Sequence, residues 1–196
     1  MDAAQPLRVL VVCTANVCRS PFAAAVFAHR LGALPGGDRV RVTGAGVRAM
    51  TGAPVDPAMA DHLEAEEAVL LDGAVARQLD ERLVREADLV LALAREHRRA
   101  AVALVPARQR RVMTLLELAR AGRAAADAGL APVADAPDAL RALVAASAAH
   151  RGPTAPDDPA ADDVADPHRR PAPEYAAAAA LVRRAVDDVV GALPLR

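Results

Sequence analysis

The first apolar run, Leu7 to Val12, is broken only by Arg8 and is rich in β-branched residues, the pattern of a short parallel strand covered on both faces. It leads into Cys13-Thr14-Ala15-Asn16-Val17-Cys18-Arg19, then Ser20 and Pro21. Ser20 is a good N-cap and Pro21 a good first helical residue, so a helix is predicted to open there. Phe22, Val26 and Leu31, with Ala23 and Ala25 between them, give it an apolar stripe, and Gly32 and Pro35-Gly36-Gly37 end it. Val40 and Val42 alternate with Arg39 and Arg41, a second strand with one solvated face that leaves the sheet as a loop at Thr43-Gly44-Ala45-Gly46. Asp56-Pro57 is a helix entry, and Met59, Ala60, Leu63, Glu67 and Leu70 follow at the spacing of one helix closed by Asp72-Gly73.

A connecting loop through Leu79 precedes a short helix, capped by Asp80 and running to Ala87. Asp88 to Leu93 is nearly continuous in apolar character and predicts a third strand, buried on both faces. Arg95 to Leu104 reads as a helix whose early Arg95, Glu96, His97, Arg98 and Arg99 form a solvated face with no part in the chemistry. Arg111 to Leu116 is the fourth strand, followed by a short helix or loop to Gly122. Over 123–165 the composition shifts to Ala, Pro and Asp, which reads as an insertion. It holds one amphipathic helix, Asp138 to Ala149, and a mobile loop over 152–165 whose Asp157, Asp158, Asp162 and Asp163 solvate it. The last helix starts after Pro173 and runs to about Ala192. This alternation predicts an α/β fold over residues 1–196 as one domain: a small four-stranded parallel doubly wound sheet with helices on both faces.

Composition narrows the partners. The chain has 196 residues and a formal net charge of −1, so bulk electrostatics give no reason to expect nucleic acid. No apolar run is long enough for a bilayer and residues 1–6 do not read as a signal peptide, so no membrane partner is expected. Both cysteines lie in one loop, which points to the reducing cytoplasm and away from a disulfide scaffold. With two Phe, one Tyr and no Trp, the core must be built from Leu, Val and Ala.

The loop between the first strand and first helix has a chemical logic. A helix start leaves backbone N–H groups unpaired and carries partial positive charge, so an oxyanion can sit there. The guanidinium of Arg19 can take two oxygens of a phosphate at once. The same surroundings would hold Cys13 as a thiolate nucleophile, with the Ser20 hydroxyl bonded to its sulfur. Asn16 suits a left-handed or otherwise unusual backbone position within such a loop. A cysteine alone reads better as a small buried apolar residue; Asn16, Arg19, Ser20, Pro21 and the strand before them shift the reading to the phosphate site.

The run Cys13-Thr14-Ala15-Asn16-Val17-Cys18-Arg19-Ser20-Pro21 resembles the signature of the low-molecular-weight protein tyrosine phosphatases, of bacterial type, Cys-x5-Arg-Ser. The resemblance implies phosphomonoester hydrolysis through a cysteinyl-phosphate, with Cys13, Arg19 and Asp166 catalytic. Thr14, Ala15, Asn16, Val17, Cys18 and Ser20 would bind the phosphate. Asp166-Pro167, one short loop before the last helix, resembles the family's general-acid loop. No metal or organic cofactor is implied; the partners are a phosphotyrosine protein or a small phosphomonoester, and inorganic phosphate or another oxyanion in the loop. Cys18 has two readings, a reversible disulfide with Cys13 and plain packing. Three departures bear on substrate. His168-Arg169-Arg170 stands where the family often has aromatics, no aromatic lies near Arg48-Ala49-Met50, and Ala74 replaces a histidine that commonly supports the loop asparagine. The alternatives are a phosphatase for a non-aryl phosphate and a non-catalytic phosphate- or phosphoprotein-binding module. A thioredoxin-linked arsenate reductase would need further downstream cysteines, which the sequence lacks.

Overall fold

The computed structural model describes residues 5–196, so the reading of residues 1–6 falls largely outside the described residues. Four strands, β1 (Leu7–Cys13), β2 (Val40–Gly46), β3 (Leu89–Ala92) and β4 (Val112–Thr114), form one parallel sheet in the order β2-β1-β3-β4. Strand order reverses at β1, so a crevice opens beyond its carboxyl end, where ligands bind in open α/β sheets. Cys13 is the last residue of that strand.

Alternation along β1 divides the core. Leu7, Val9, Val11 and Cys13 face one apolar layer, and Leu10 and Val12 face the other. The first layer is filled by α1 (Arg19–Gly32), α6 (Leu115–Asp127), α7 (Ala136–His150) and α8 (Ala172–Gly191). The second receives α4 (Glu81–Glu86) and α5 (Arg95–Leu104) through Leu83, Val84 and Ala101. Phe22 and Phe27 are fully buried, and the rest of the core is Leu, Val, Ala and Met, as the composition requires. No helix among the described residues is long and apolar enough to cross a membrane.

Several boundaries differ from the sequence reading, each for a local reason. The helix expected across Met59 to Leu70 is two, α2 (Pro57–Ala60) and α3 (Ala65–Val69), because Glu64 and Glu67 form a capping box that restarts the chain. Glu67 is not part of an apolar stripe; it is fully buried and bonded to Arg183 at 2.6 and 2.7 Å. The stretch after β4 is a full helix, with a second capping box between Thr114 and Glu117. Strand β2 continues through Gly46, four residues further than its solvated alternation suggested, because its small residues lie beneath the loop after β1. A Cβ at Gly46 would meet Thr14 O at 2.7 Å and Ala15 C at 2.9 Å, and one at Gly44 would meet Asn16 Nδ2 at 2.6 Å.

The end of the Ala/Pro/Asp-rich segment is tied down. Asp162 pairs with Arg120 and Asp163 makes a forked pair with Arg95, at 2.9 Å to Nη2. Asp163 also accepts from the Arg95 backbone N–H at 2.7 Å. These two aspartates, read as merely solvating, are structural. Val164 is buried, and its N–H donates to Leu93 O at 2.8 Å, just past the end of β3.

Candidate active site

The loop from Cys13 to Arg19 wraps around one point at the carboxyl end of β1. Asn16 adopts the left-handed conformation at φ 57°, the one positive φ within the loop. Its side chain is held from both sides: Arg77 N–H donates to Oδ1 at 3.0 Å, and Nδ2 donates to Ser20 Oγ at 2.8 Å. The backbone of Arg77 thus does what the missing histidine at Ala74 was expected to do. Val47 and Arg48 N–H groups donate to Cys13 and Thr14 carbonyls, clamping the outside of the loop to the segment after β2.

Cys13 Sγ receives the Asn16 N–H at 3.3 Å and lies 3.0 Å from Ser20 Oγ. Because Ser20 Oγ already accepts from Asn16, its own hydrogen is free to point at the sulfur. In that arrangement both contacts place the sulfur as the hydrogen-bond acceptor. Helix α1 begins at Arg19, with Cys18 as N-cap and no side-chain cap. Ser20 is therefore not the cap expected from sequence; its hydroxyl is engaged with the sulfur and the asparagine. The N–H groups of Ala15, Val17 and Cys18 have no acceptor among the described residues, an anion-binding arrangement at a helix start.

Arg19 is almost wholly buried and joins the site's two halves. Nη1 donates to Val164 O at 2.9 Å, while Nη2 donates to Thr14 Oγ1 at 3.2 Å and Asp166 Oδ2 at 2.6 Å. Its buried Nε has no partner among the described residues. Asp166 is half-exposed and immediately precedes the turn closed by Arg170 N–H to Pro167 O, and His168 N–H donates to its Oδ1 at 3.2 Å. The structure thus brings Cys13, Arg19, Asp166 and every loop residue named above to one place. Asp56, read as a helix cap, does cap α2 by accepting from Ala58 N–H.

Two residues differ from the sequence reading. His97 is not on a solvated face: it is fully buried, and its Nε2 lies 2.9 Å from Thr14 Oγ1. Burial, with the Arg19 charge second, pushes its pKa down to about 4, so the imidazole is neutral. The signal lay in helical spacing, since His97 and Ala101 make the buried face of α5 while their charged neighbours turn outward. Cys18 is buried, and burial, reinforced by Asp56, Asp166 and Cys13, pushes its pKa up to about 12. It stays a thiol, which favours the packing reading. Both cysteines are free. No cluster suited to a metal ion occurs among the described residues.

A parallel sheet with its crevice beyond β1, and a Cys-x5-Arg loop wrapped around that crevice, together define an oxyanion-binding α/β protein. The chain belongs to the low molecular weight phosphotyrosine protein phosphatase family, whose model matches residues 8–135. It is 39% identical over 98 residues to the low molecular weight protein-tyrosine-phosphatase Etp of Escherichia coli K12, covering 50% of this chain and 62% of that protein. The match therefore spans less than two thirds of that relative's length. Among solved structures it resembles a low molecular weight protein tyrosine phosphatase from T. tengcongensis, with a TM-score of 0.67, 27% identity, and 95% and 99% of the two chains covered. It also resembles the YwlE arginine phosphatase of Geobacillus stearothermophilus, with a TM-score of 0.61, 25% identity, and 95% and 92% covered.

Proposed function

We propose that this chain is a cytoplasmic phosphomonoester hydrolase of protein-tyrosine-phosphatase type. The observation that carries the reading is the position of Arg19, bonded at once to the loop around Cys13 and to Asp166. Cys13 attacks phosphorus in line with the leaving oxygen. The sulfur–phosphorus bond forms as the phosphorus–oxygen bond breaks, and Asp166 gives its proton to the departing oxygen. Arg19 and the loop N–H groups hold the three remaining oxygens, whose charge is shared through the transition state. Asp166, now a carboxylate, takes a proton from the water that hydrolyses the cysteinyl-phosphate, releasing phosphate and restoring the thiolate. No step needs a metal or an organic cofactor. The two free cysteines within one loop support the cytoplasmic assignment.

The test is phosphate release from an aryl phosphate, with Cys13→Ser and Asp166→Ala alongside. Wild type releases phosphate, Cys13→Ser does not, and acid quenching traps phosphate on Cys13. Failure of wild type to turn over, with phosphate still bound, would establish the non-catalytic binding module instead.

A second reading concerns the substrate. The site's rim carries exposed Arg48 and Met50 and the turn His168-Arg169-Arg170, with no aromatic ring free to stack. His168 is itself bonded to Asp56 at 2.8 Å. This rim, with the likeness to a protein named as an arginine phosphatase, favours a non-aryl phosphate. Parallel kcat/KM values for phosphotyrosine and phosphoarginine peptides separate the two; a preference for the aryl ester of tenfold or more rejects the non-aryl reading.

A further inference from the structure

The general-acid turn is held by groups that no step of the reaction uses. Asp56 Oδ2 lies 2.8 Å from His168 Nδ1 and accepts from Tyr175 Oη at 2.9 Å, while Asp56 Oδ1 accepts from Ala58 N–H at 3.0 Å. Tyr175 Oη in turn accepts from Arg169 N–H at 3.0 Å, and Arg169 sits at φ 61°, a backbone conformation that needs such support in a non-glycine residue. Asp56 N–H donates to Val17 O at 2.7 Å, inside the phosphate loop. One aspartate thus touches the phosphate loop through its backbone and the acid turn through its carboxylate.

Burial alone would raise the Asp56 pKa, but the bonds from His168, Tyr175 and Ala58 bring it below the usual carboxylate range. An ionised Asp56 requires the hydrogen of His168 to sit on Nδ1, which fixes the tautomer and the ring. The other ring nitrogen, Nε2, is buried and has no partner among the described residues, so none of them offers a second acceptor that could pull the imidazole elsewhere. The backbone N–H of the same His168 donates to Asp166 Oδ1.

The geometry points to Asp56, His168 and Tyr175 as a clasp that positions Asp166 relative to the phosphate loop, a role that rests on the reading of Asp166 as general acid. These are positioning residues: none touches a reacting atom. In the step that forms the cysteinyl-phosphate, a displaced acid slows esters whose leaving oxygen needs a proton and spares those whose leaving group departs as a stable anion.

The experiment compares phenyl phosphate, with its poor leaving group, and p-nitrophenyl phosphate, with its good one, in wild type, His168→Ala, His168→Asn, Tyr175→Phe and Asp166→Ala. Inorganic phosphate inhibition monitors the loop. His168→Ala and Tyr175→Phe lower kcat/KM, which reports cysteinyl-phosphate formation alone, about tenfold for phenyl phosphate and no more than about twofold for the nitrophenyl ester, at unchanged phosphate affinity. His168→Asn, whose amide nitrogen falls near Nδ1, regains most of the loss. Asp166→Ala shows the same bias in larger measure. Equal losses on both esters, weakened phosphate affinity, or no loss in either clasp variant overturns the clasp. Absence of the bias in Asp166→Ala overturns the assignment of the acid itself, and the clasp's role with it.

Discussion

Arg19 Nη2 and Asp166 Oδ2 are 2.6 Å apart, so the group proposed to hold the substrate's charge also holds the group proposed to deliver its proton. An arriving phosphate must share Arg19 with that carboxylate and tolerate its negative charge. Asp166→Asn is therefore expected to bind inorganic phosphate more tightly while turning over more slowly. Asp166 is half-exposed and its charge is screened, so the gain is roughly threefold. Calorimetric titration of both proteins checks it; equal or weaker binding by the variant contradicts the shared-partner argument.

His97 makes the stability of the protein pH-dependent. Its folded pKa of about 4 lies below the ordinary 6.5, so the unfolded chain binds the extra proton first as pH falls. Stability contributed by keeping this imidazole neutral is present above pH 6.5 and is lost progressively between pH 6.5 and 4. The loss approaches roughly 2–3 kcal/mol at the lower end. Urea unfolding at pH 7 and 4.5 should show a steeper decline for wild type than for His97→Gln. Parallel declines would place the acid sensitivity elsewhere.

Thiol chemistry should discriminate sharply between the two cysteines. Cys18, its pKa raised to about 12, presents almost no thiolate at neutral pH, whereas Cys13 is surrounded by donors. Limited iodoacetamide at pH 7 is expected to modify position 13 and spare position 18, and phosphate to protect against it. Peptide mass mapping reads the site directly, and first labelling at Cys18 would contradict the geometry.

Glu67 tests stability separately from activity. Its carboxylate is fully buried against Arg183 and Arg30, and Arg183 also lies 5.5 Å from the Phe22 ring centroid. Glu67→Ala leaves the partly exposed Arg183 and Arg30 guanidiniums without their carboxylate and should cost about 1–3 kcal/mol in denaturant unfolding. Phosphate affinity of the folded fraction should remain unchanged, because none of these groups enters the loop.

Gly46→Ala makes the opposite test, of the loop through its floor. The added methyl would press on backbone atoms of Thr14 and Ala15, which cannot step aside as a side-chain end could. Weakened phosphate binding is expected together with a stability loss of about 1–3 kcal/mol. Wild-type binding in this variant would show that the loop can lift from β2 at little cost.

The sequence was most informative where local chemistry and local structure coincide. The strand, the anion loop and α1 could be read directly, because hydrophobic run, helix start and loop residues all lie within fifteen positions. The residue type of Asn16 alone points to an unusual, left-handed-tolerant backbone position, and the sheet follows from alternation. Long-range pairing was hidden. Nothing local distinguishes Asp162 and Asp163 from solvated aspartates until Arg120 and Arg95 arrive from more than forty residues away. Likewise Glu67 occupied an apolar-looking position only because Arg183 neutralises it from α8. His97 was obscured by the charges on either side of it, though its spacing from Ala101 carried the clue.

The bonds at Val164 have a consequence for how the chain tolerates change. Its N–H is stitched to Leu93 and its carbonyl to Arg19, so the register of everything from residue 164 onward is set at that point. Upstream length becomes slack: residues could be added or removed between Arg151, which is held by Glu117, and Asp158 without shifting the proton donor. Such a joint lets one end of a molecule be redrawn freely while its chemistry stays where it was.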